Sequence, residues 1–415
     1  MPRKIDIFRS ALVLVLMLVI ETRADLLDRV NDALSIRDSK HQFQLQLSGL
    51  IDFEGYFIDQ RAPGLIETDD SFLFNPRLSV FLDAQWTSHL YFFGQLRLDR
   101  GFDPSDEGAQ VRMDEYFLRY TPFDHPLVAV QFGKFATVVG NWTGRHFSWD
   151  NPFINAPLPY ENVTGIWDMA APFDVDVLFY WGHVGEYETG DYSDKYQRLP
   201  VIWGPSYASG FAVLGTIDKF DYALELKNSA LASRPESWDL TNVGFEDPTF
   251  SGRIGFRPNE MWNVGFSASG GPYLLSQARW SLPAGRHIDD YRELLLGQDV
   301  SFAWHHWQFW AEFYETRFEV PRIGDADVLS YYLEAKYKFT PQLFGAVRWN
   351  QQVFGTVSDE GEQEKWGNDV WRVDASVGYR FTNYLQGKVQ YSFKHDDHEI
   401  QMGEQLVAAQ ITIKF

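Results

Sequence analysis

Apolar and polar residues alternate with a period of two along most of this chain, and this alternation limits the fold more than any other sequence feature. In the last segment, the apolar positions are Val407, Ala409, Ile411, Ile413 and Phe415. Such a pattern is typical of a β-strand whose two faces meet different environments. Similar segments recur from residue 42 onward, so we predict an all-β chain with no domain boundary after residue 41.

Two architectures would produce this alternation. A soluble β-sandwich buries the apolar faces against a second sheet, whereas a transmembrane barrel turns them toward lipid and encloses the polar faces. Here the polar faces contain bulky charged residues, the connections alternate between short and long, and aromatic residues lie at many segment ends. Rings favour the membrane interface, and many segments have the roughly ten residues of a tilted membrane-crossing strand. We therefore predict a transmembrane antiparallel β-barrel.

The predicted number of strands is about eighteen, with sixteen as the alternative. The uncertainty lies in residues 138–171, where the alternation is least regular. The higher number treats the segments 163–171 and 174–182 as two strands of the wall. Both numbers place short turns at one end of the barrel and long loops at the other.

The composition excludes several other classes of protein. The 415 residues include no cysteine, which excludes disulfide-stapled folds, thiolate zinc sites and iron–sulfur clusters. The formal net charge of -21 argues against nucleic-acid binding, which requires clustered lysine and arginine. The sequence also lacks a c-type haem attachment motif, a nucleophilic-serine elbow, a His-Glu-x-x-His motif and a P-loop. We predict no cofactor and no enzymatic activity.

One segment gathers groups that suit a divalent cation. Residues 395–399 read His-Asp-Asp-His-Glu, and imidazole and carboxylate groups are metal ligands. We interpret this segment as a solvated loop between two strands, and we predict no metal site.

The N-terminus has the features of a targeting segment. Basic residues precede ten apolar residues at positions 11–20, and small residues follow up to Ala24. This order is typical of a secretory signal peptide, and ten apolar residues are too few to span a membrane. We predict a signal peptide at 1–24 and the barrel at 42–415. The segment 25–41 between them is predicted to be a short helix or a linker.

The inward faces of the last predicted strands are rich in basic residues. These residues are Lys336, Lys338, Arg348, Arg372, Arg380, Lys388, Lys394 and Lys414. The first strand instead points Asp52 and Glu54 inward, so the wall is expected to have a basic arc opposite a mixed or acidic one. Such a transverse field orients polar solutes in a water-filled channel. The alternative is that these charges pair across neighbouring strands.

The connection at residues 140–160 is long and contains many rings. It includes Trp142, Arg145, His146, Trp149 and Asp150, and several prolines interrupt it. Loops that meet only water seldom contain so many aromatic residues. We predict that this loop folds into the barrel as a constriction; the alternative is an outer surface that contacts a subunit or partner.

These features together resemble the outer-membrane porins of Gram-negative bacteria. The resemblance rests on the signal peptide, on the terminal strand ending at Phe415 and on the turns Phe339-Thr340-Pro341 and Phe381-Thr382-Asn383. Residues 130–135 also look like a stretch of the phosphate-selective porin O and P group, but the arginine ladder of that group is not evident here. The resemblance implies a homotrimer in the cell outer membrane, in contact with lipid and lipopolysaccharide. It also implies periplasmic short turns, a periplasmic segment at 25–41, and recognition of Phe415 by the barrel-assembly machinery.

The sequence thus favours a passive channel for small hydrophilic solutes, with a preference for anions. A second hypothesis is a barrel scaffold that sheathes a periplasmic redox protein, as in porin–cytochrome conduits. A barrel enzyme is a third class of function, for which no persuasive set of catalytic residues is present.

Overall fold

The computed structural model describes residues 33–38, 42–59, 64–101, 104–105, 108–182, 198–235, 244–397 and 404–415. Within these ranges, seventeen strands form one sheet whose neighbouring strands are antiparallel. All strands in chain order are β1 (Ser35–Arg37), β2 (Phe43–Ile58), β3 (Phe72–Trp86), β4 (Leu90–Asp99), β5 (Gln110–Tyr120), β6 (Ala129–Phe135), β7 (Val163–Trp167), β8 (Arg198–Pro200), β9 (Ala208–Ile217), β10 (Phe220–Lys227), β11 (Thr249–Phe256), β12 (Trp262–Pro272), β13 (Arg292–Trp304), β14 (Trp307–Val320), β15 (Gly324–Lys338), β16 (Leu343–Phe354), β17 (Thr356–Asp359), β18 (Glu362–Lys365), β19 (Val370–Arg380), β20 (Leu385–Asp396) and β21 (Glu404–Lys414).

The large sheet closes on itself as a barrel. Strand β2 pairs with β3 on one side and with β21 on the other, so the first and last long strands are neighbours. The short strand β1 lies along the start of β2, and the other sixteen of the seventeen strands form the wall. A closed sheet leaves no edge with unpaired backbone groups, which is what a lipid environment requires.

The predicted all-β barrel is confirmed, and the wall has sixteen strands, which is the alternative to the predicted eighteen. Of the two segments predicted as extra strands, the first supplies only β7, which pairs with β8 in a separate two-stranded sheet. The second forms the helix Val175–Gly182. The Asp174 carboxylate accepts a hydrogen bond of 3.0 Å from the Val177 amide, which is the arrangement of a helix N-cap. This cap stabilises a helix where the sequence predicts a strand.

The outward face of the barrel is apolar, with rings toward both ends. Near the short turns, exposed rings include Trp86, Tyr120, Phe220, Trp262, Trp304, Trp307, Phe339 and Phe381. Near the long loops they include Phe57, Phe72 and Phe250. This distribution matches the aromatic girdles of membrane barrels. No helix in the described ranges is long and apolar enough to cross a membrane.

Short turns and both described chain ends lie at the same end of the barrel. The two-residue turns at 218–219 and 305–306 hold Asp218 and His305 at a φ of 53° each, a left-handed conformation common in tight hairpins. At this end Ser35 pairs with Gln46, so part of the segment predicted as a helix or linker is instead a strand. The predicted signal peptide, and positions 25–32 and 39–41, lie outside the described residues.

The barrel closes at its last residue. The Phe415 amide donates to the Gly49 carbonyl at 3.0 Å, and the Gly49 amide donates to the Phe415 carbonyl at 2.9 Å. The Phe415 ring also occupies the space that a side chain at position 49 would need, so glycine is required there. The C-terminal aromatic residue is thus part of the seam between the first and last long strands.

Deleting Phe415 is expected to lower the amount of folded barrel in the outer membrane severalfold. The deletion removes the final backbone pair of the seam together with the aromatic side chain that the assembly machinery is expected to recognise. The heat-modifiable band in outer-membrane fractions measures this amount, and Phe415→Tyr, which keeps the ring and the backbone, should remain close to wild type. Equal amounts of folded barrel in the deletion and wild-type strains would contradict the prediction.

Candidate functional site: a loop across the lumen

The long connection after β6 enters the barrel and crosses its lumen. On one side, the Thr137 hydroxyl donates to Glu225 of β10 at 2.6 Å. On another, Arg145 forms a 2.6 Å ion pair with Glu334 of β15. The Phe147 ring then contacts Phe81 of β3, with 5.1 Å between ring centroids. Because these three strands lie on different sides of the barrel, the loop spans the lumen.

One carboxylate holds both ends of the loop. Oε1 of Glu312, on the inner face of β14, accepts hydrogen bonds from the amides of Asn141 and Trp142 at 2.5 and 2.9 Å. Its other oxygen accepts from the Tyr160 hydroxyl at 2.6 Å. The rings of Trp142 and Tyr160 also pack together, with centroids 4.4 Å apart. The segment 140–160 therefore leaves and returns to the wall at nearly the same place.

A buried ion-pair network joins the returning half of the loop to β16 and β19. Asp374 lies between two arginines, at 2.8 Å from Arg348 and 3.0 Å from Arg372. Arg372 also pairs with Glu161, which the loop supplies. Arg348 further donates to the side-chain oxygen of Asn155 at 3.1 Å. Opposite charges thus compensate both arginines where the loop meets the wall.

Sequence reasoning identified Arg348 and Arg372 as inward-facing, but it did not identify Glu161 as a partner of Arg372 or Glu312 as an anchor of the loop. Alternation within a strand predicts which face a residue occupies. It does not predict which loop residue will come to lie opposite that face. The only sequence feature that points to this role is the position of Glu161 directly after the ring-rich segment 140–160, and this feature is weak.

The structure places all eight predicted basic residues on the inner face. Lys336, Arg348, Arg372 and Lys388 are buried, Arg380 and Lys394 are half-buried, and Lys338 and Lys414 are exposed. Lys394 forms an ion pair of 3.1 Å with Glu404 of the neighbouring strand. The three residues that remain in contact with water and without a carboxylate partner in the described ranges are Lys338, Arg380 and Lys414.

The two predicted acidic residues of the first strand are buried rather than open to the lumen. Glu54 accepts hydrogen bonds from Arg77, Asn75 and Gln410, at 2.5, 3.0 and 2.6 Å. Asp52 accepts one from the Thr412 hydroxyl at 2.6 Å. The Arg77 pair neutralises much of the charge here, so this part of the wall is not a bare acidic surface.

The predicted loop residues have different surroundings. Trp142 is buried, and the half-buried Trp149 lies beneath two cations, 5.1 Å from Arg380 and 5.7 Å from Lys414. Asp150 is exposed, and its amide donates to the Phe147 carbonyl at 3.0 Å. The Trp149 ring therefore faces two of the accessible cations on the inner face.

His146 is neutral where it meets Tyr207, directly before β9, the strand that pairs with β6. Its Nε2 lies 2.8 Å from the Tyr207 hydroxyl, and its Nδ1 lies near the Thr143 carbonyl. Burial, together with the nearby Arg97 and Arg77, lowers the pKa of His146 to about 4, against the opposing effect of the hydrogen bond to the Thr143 carbonyl. At neutral pH the ring thus adds no positive charge to the lumen.

Apolar packing fills another part of the lumen. A buried cluster joins Ile166, Leu178 and Val201 of the long connection to Tyr314 and Phe318 on the inner face of β14. Sequence reasoning assigned Ile166 and Leu178 to wall strands, because both locations require alternating or clustered apolar residues. The consequence is a narrower cross-section for anything that passes through the barrel.

Two cavities lie between the loop and the short-turn end. One of about 670 Å³ is lined by polar groups that include Gln44, Gln46, Asp83, Tyr91 and Lys414. Another of about 370 Å³ is lined by residues that include Arg119, Asp221 and Arg253 from the wall, with Val138 and Gly140 from the loop. The polar inner face is thus open to solvent below the loop.

The histidine-rich segment predicted as a solvated loop lies partly outside the described residues. His395 and Asp397 are 3.8 Å apart, while His398 and Glu399 are not described. In the described part of the chain, no three histidine, aspartate or glutamate side chains come together as a metal site would require.

Comparison with known proteins finds similarity of fold without similarity of sequence. No family model matches the chain, and no curated protein matches it.

Solved structures of outer-membrane proteins match over nearly their whole length. Salmonella typhi OmpF, solved in complex with daunomycin, has a TM-score of 0.55 at 13% identity, covering 92% of this chain and 100% of that chain. An outer membrane protein of Vibrio cholerae, OmpT in a trimer form, has a TM-score of 0.54 at 10% identity, covering 90% and 99%. An anion-selective porin from Comamonas acidovorans has a TM-score of 0.53 at 9% identity, covering 90% and 100%. The chain therefore has the barrel fold of the outer-membrane porins of Gram-negative bacteria.

Proposed function

We propose that this chain is an outer-membrane channel for passive diffusion of small hydrophilic solutes, with residues 140–160 as its constriction. The observation that supports this function best is a polar, ring-containing loop that crosses the lumen of a closed barrel. The loop is anchored at Glu312 and at the network around Asp374. A loop held in this way narrows the passage without sealing the polar cavities below it.

The outer surface of the barrel supports the proposed location and partners. An apolar outer face with rings toward both ends fits residence in the cell outer membrane, in contact with lipid and lipopolysaccharide. The trimer form of the Vibrio cholerae protein supports a homotrimer. Export by a signal peptide and delivery to the barrel-assembly machinery complete this proposal.

A weak preference for anions is supported by the accessible cations rather than by the whole basic arc. Arg348 and Arg372 are compensated by carboxylates, so their fields are largely cancelled. Lys338, Arg380 and Lys414 are accessible toward the short-turn end. Their charges raise the local concentration of anions where low-dielectric walls focus the field.

Neutralising two accessible cations is expected to shift selectivity toward cations. In planar bilayers with a KCl gradient, the double variant Arg380→Gln and Lys414→Gln should change the anion-to-cation permeability ratio by roughly twofold, read from the zero-current potential. The shift should shrink between 0.1 M and 1 M salt, since the screening length falls from about 10 Å to about 3 Å. Arg317→Gln is the matched control, because this exposed arginine lies at the outer rim, away from the lumen.

Two outcomes of this experiment separate the parts of the proposal. A purified wild-type barrel that conducts no ions would contradict the channel function itself. A conducting barrel whose zero-current potential does not change in the double variant would contradict only the anion preference.

A scaffold for a redox partner is less well supported than a channel. The lumen is already occupied by the chain's own loop and by the apolar cluster that includes Ile166 and Leu178. An inserted partner would have to displace both. The polar groups that come together in the lumen act as ion pairs and loop anchors, and they favour a channel over an enzyme.

A further inference from the structure

Lys388, on the inner face of β20, directs its ammonium group at the backbone of the loop. Its Nζ donates to the carbonyl oxygens of Ser148 at 2.8 Å, Asn151 at 2.9 Å and Phe153 at 3.0 Å. A lysine ammonium has three hydrogens to donate. All three are therefore used by one short stretch of loop, and none is left for a passing solute.

The contacts of Lys388 differ from those of a selectivity charge. The side chain is 3% exposed, and no ion pair joins it to a carboxylate in the described part of the chain. Hydrogen bonds from a charged donor are roughly twice as strong as those between neutral groups. An ammonium that is buried and satisfied only by backbone carbonyls orders those carbonyls around itself.

Neighbouring polar residues hold the same stretch of loop, but with neutral groups. The Gln386 amide donates to the Ser148 carbonyl at 3.2 Å, and the Ser376 hydroxyl donates to the Pro152 carbonyl at 2.8 Å. The Ile154 amide donates to Gln390 at 2.6 Å. Lys388 lies at the centre of this group. Arg380 is another charged donor to this stretch, with one hydrogen bond of 3.2 Å to the Trp149 carbonyl, whereas Lys388 makes three.

Lys336 is a natural comparison. It also lies on the inner face of the barrel and is also buried, at 7% exposure. Its Nζ lies 4.4 Å from the centre of the Phe344 ring, and no hydrogen bond in the described structure joins it to the loop. The two lysines thus share charge and location in the wall, and they differ in contact with residues 148–153.

We propose that Lys388 is a positioning residue that fixes residues 148–153 against the wall and thereby sets the bore of the channel. The statement about the bore rests on the proposed channel function, whereas the fixing of the loop does not. Loss of the ammonium removes this donor from the carbonyls of Asn151 and Phe153 and leaves the Ser148 carbonyl with Gln386, so this stretch of loop should detach from β20. The charge of Lys388 then matters for loop position and much less for selectivity.

The position of the loop can be measured without any ion conduction. The chain has no cysteine, so Ser148→Cys introduces a single thiol at a residue that is 8% exposed. A water-soluble thiol reagent should label it about tenfold faster or more when Lys388→Met is added, because a charged donor to buried carbonyls is lost. Adding Lys336→Met instead should leave the labelling rate unchanged. Equal labelling rates in the two lysine variants would overturn the proposal.

Single-channel recording gives the second readout. Lys388→Met should make the conductance unsteady, with new closures or substates, while Lys336→Met should leave the current steady and move only the zero-current potential. The proposal is wrong if Lys388→Met merely repeats the behaviour of Lys336→Met. If wild type conducts no ions, the proposed channel function fails, while the labelling comparison still decides the role of Lys388.

A conservative variant covers the case in which Lys388→Met does not assemble. Lys388→Arg keeps the charge but replaces a compact three-donor group by a planar fork that cannot match the three carbonyl positions. We expect faster labelling of Ser148→Cys with an unchanged zero-current potential. Unchanged labelling of Ser148→Cys in the Lys388→Arg variant would mean that any positive charge at position 388 holds the loop. That result would contradict the proposal that the three carbonyl contacts of Lys388 fix the loop position.

Discussion

Replacing residues 144–157 by two glycines is expected to raise single-channel conductance severalfold. The replaced segment crosses the lumen, and its removal takes out the contacts of Arg145 with β15 and of Phe147 with β3. The shortened connection can close, because Trp142 and Tyr160 pack together and both bind Glu312. The barrel wall keeps every strand pair, so the change in conductance arises in the lumen and not in the wall.

The control for this experiment is a shortened loop that does not enter the lumen. The hairpin of β17 and β18 has an exposed tip, and removing residues 360–361 should leave the conductance near wild type. If the lumen variant instead keeps its conductance and loses subunit stability, residues 140–160 serve a contact between copies. That result would restore the alternative interpretation of the ring-rich sequence.

The wall strands could be predicted because each is long enough to show the alternation of residues between its two faces. In β21 and β19, alternate residues are buried without exception over most of the strand, as the sequence pattern indicates. The face on which Arg348, Arg372 and Lys388 lie could therefore be predicted from position alone. A period of two assigns a face in any strand with one polar side.

The interior of the barrel could not be predicted in the same way. Glu161 and Arg372 are separated by 211 residues in sequence and come together only because the loop folds back. Glu312 is likewise separated from Trp142 by 170 residues. No local propensity contains such information, and the same apolar composition fits a lipid-facing strand or a packed plug. This ambiguity explains why the sequence predicts eighteen strands where the wall has sixteen.

The contacts inside the barrel change the role that can be assigned to the charged residues on its inner face. A count of wall residues suggests a strongly basic arc, but the loop contributes a carboxylate, and Arg348 and Arg372 share Asp374. Charged groups on the inner face thus divide into two kinds. Those at the height of the loop fix its position, and those nearer the short turns meet solvent and ions.

Asp374→Asn is expected to lower the free energy of unfolding by about 3–5 kcal/mol, since removing one partner leaves buried charges uncompensated. Asp374 is fully buried and accepts hydrogen bonds from Arg348, Asn350, Arg372 and Ser392. An asparagine of the same shape brings an NH₂ group toward these donors and leaves two guanidinium groups without their common counter-charge. The loss should be measured by equilibrium unfolding in denaturant, with tryptophan fluorescence of the barrel in lipid vesicles.

The same chemical change at an exposed ion pair provides the comparison. Asp325 lies 2.9 Å from Arg317, and the two side chains are 51% and 47% exposed. Exposed pairs contribute at most about 1 kcal/mol, so Asp325→Asn should cost that much or less. The difference between the two variants isolates the burial of the network from the chemistry of an aspartate-to-asparagine change. Equal small losses in both would mean that water reaches Arg348 and Arg372, and that the loop is held mainly by Glu312 and Lys388.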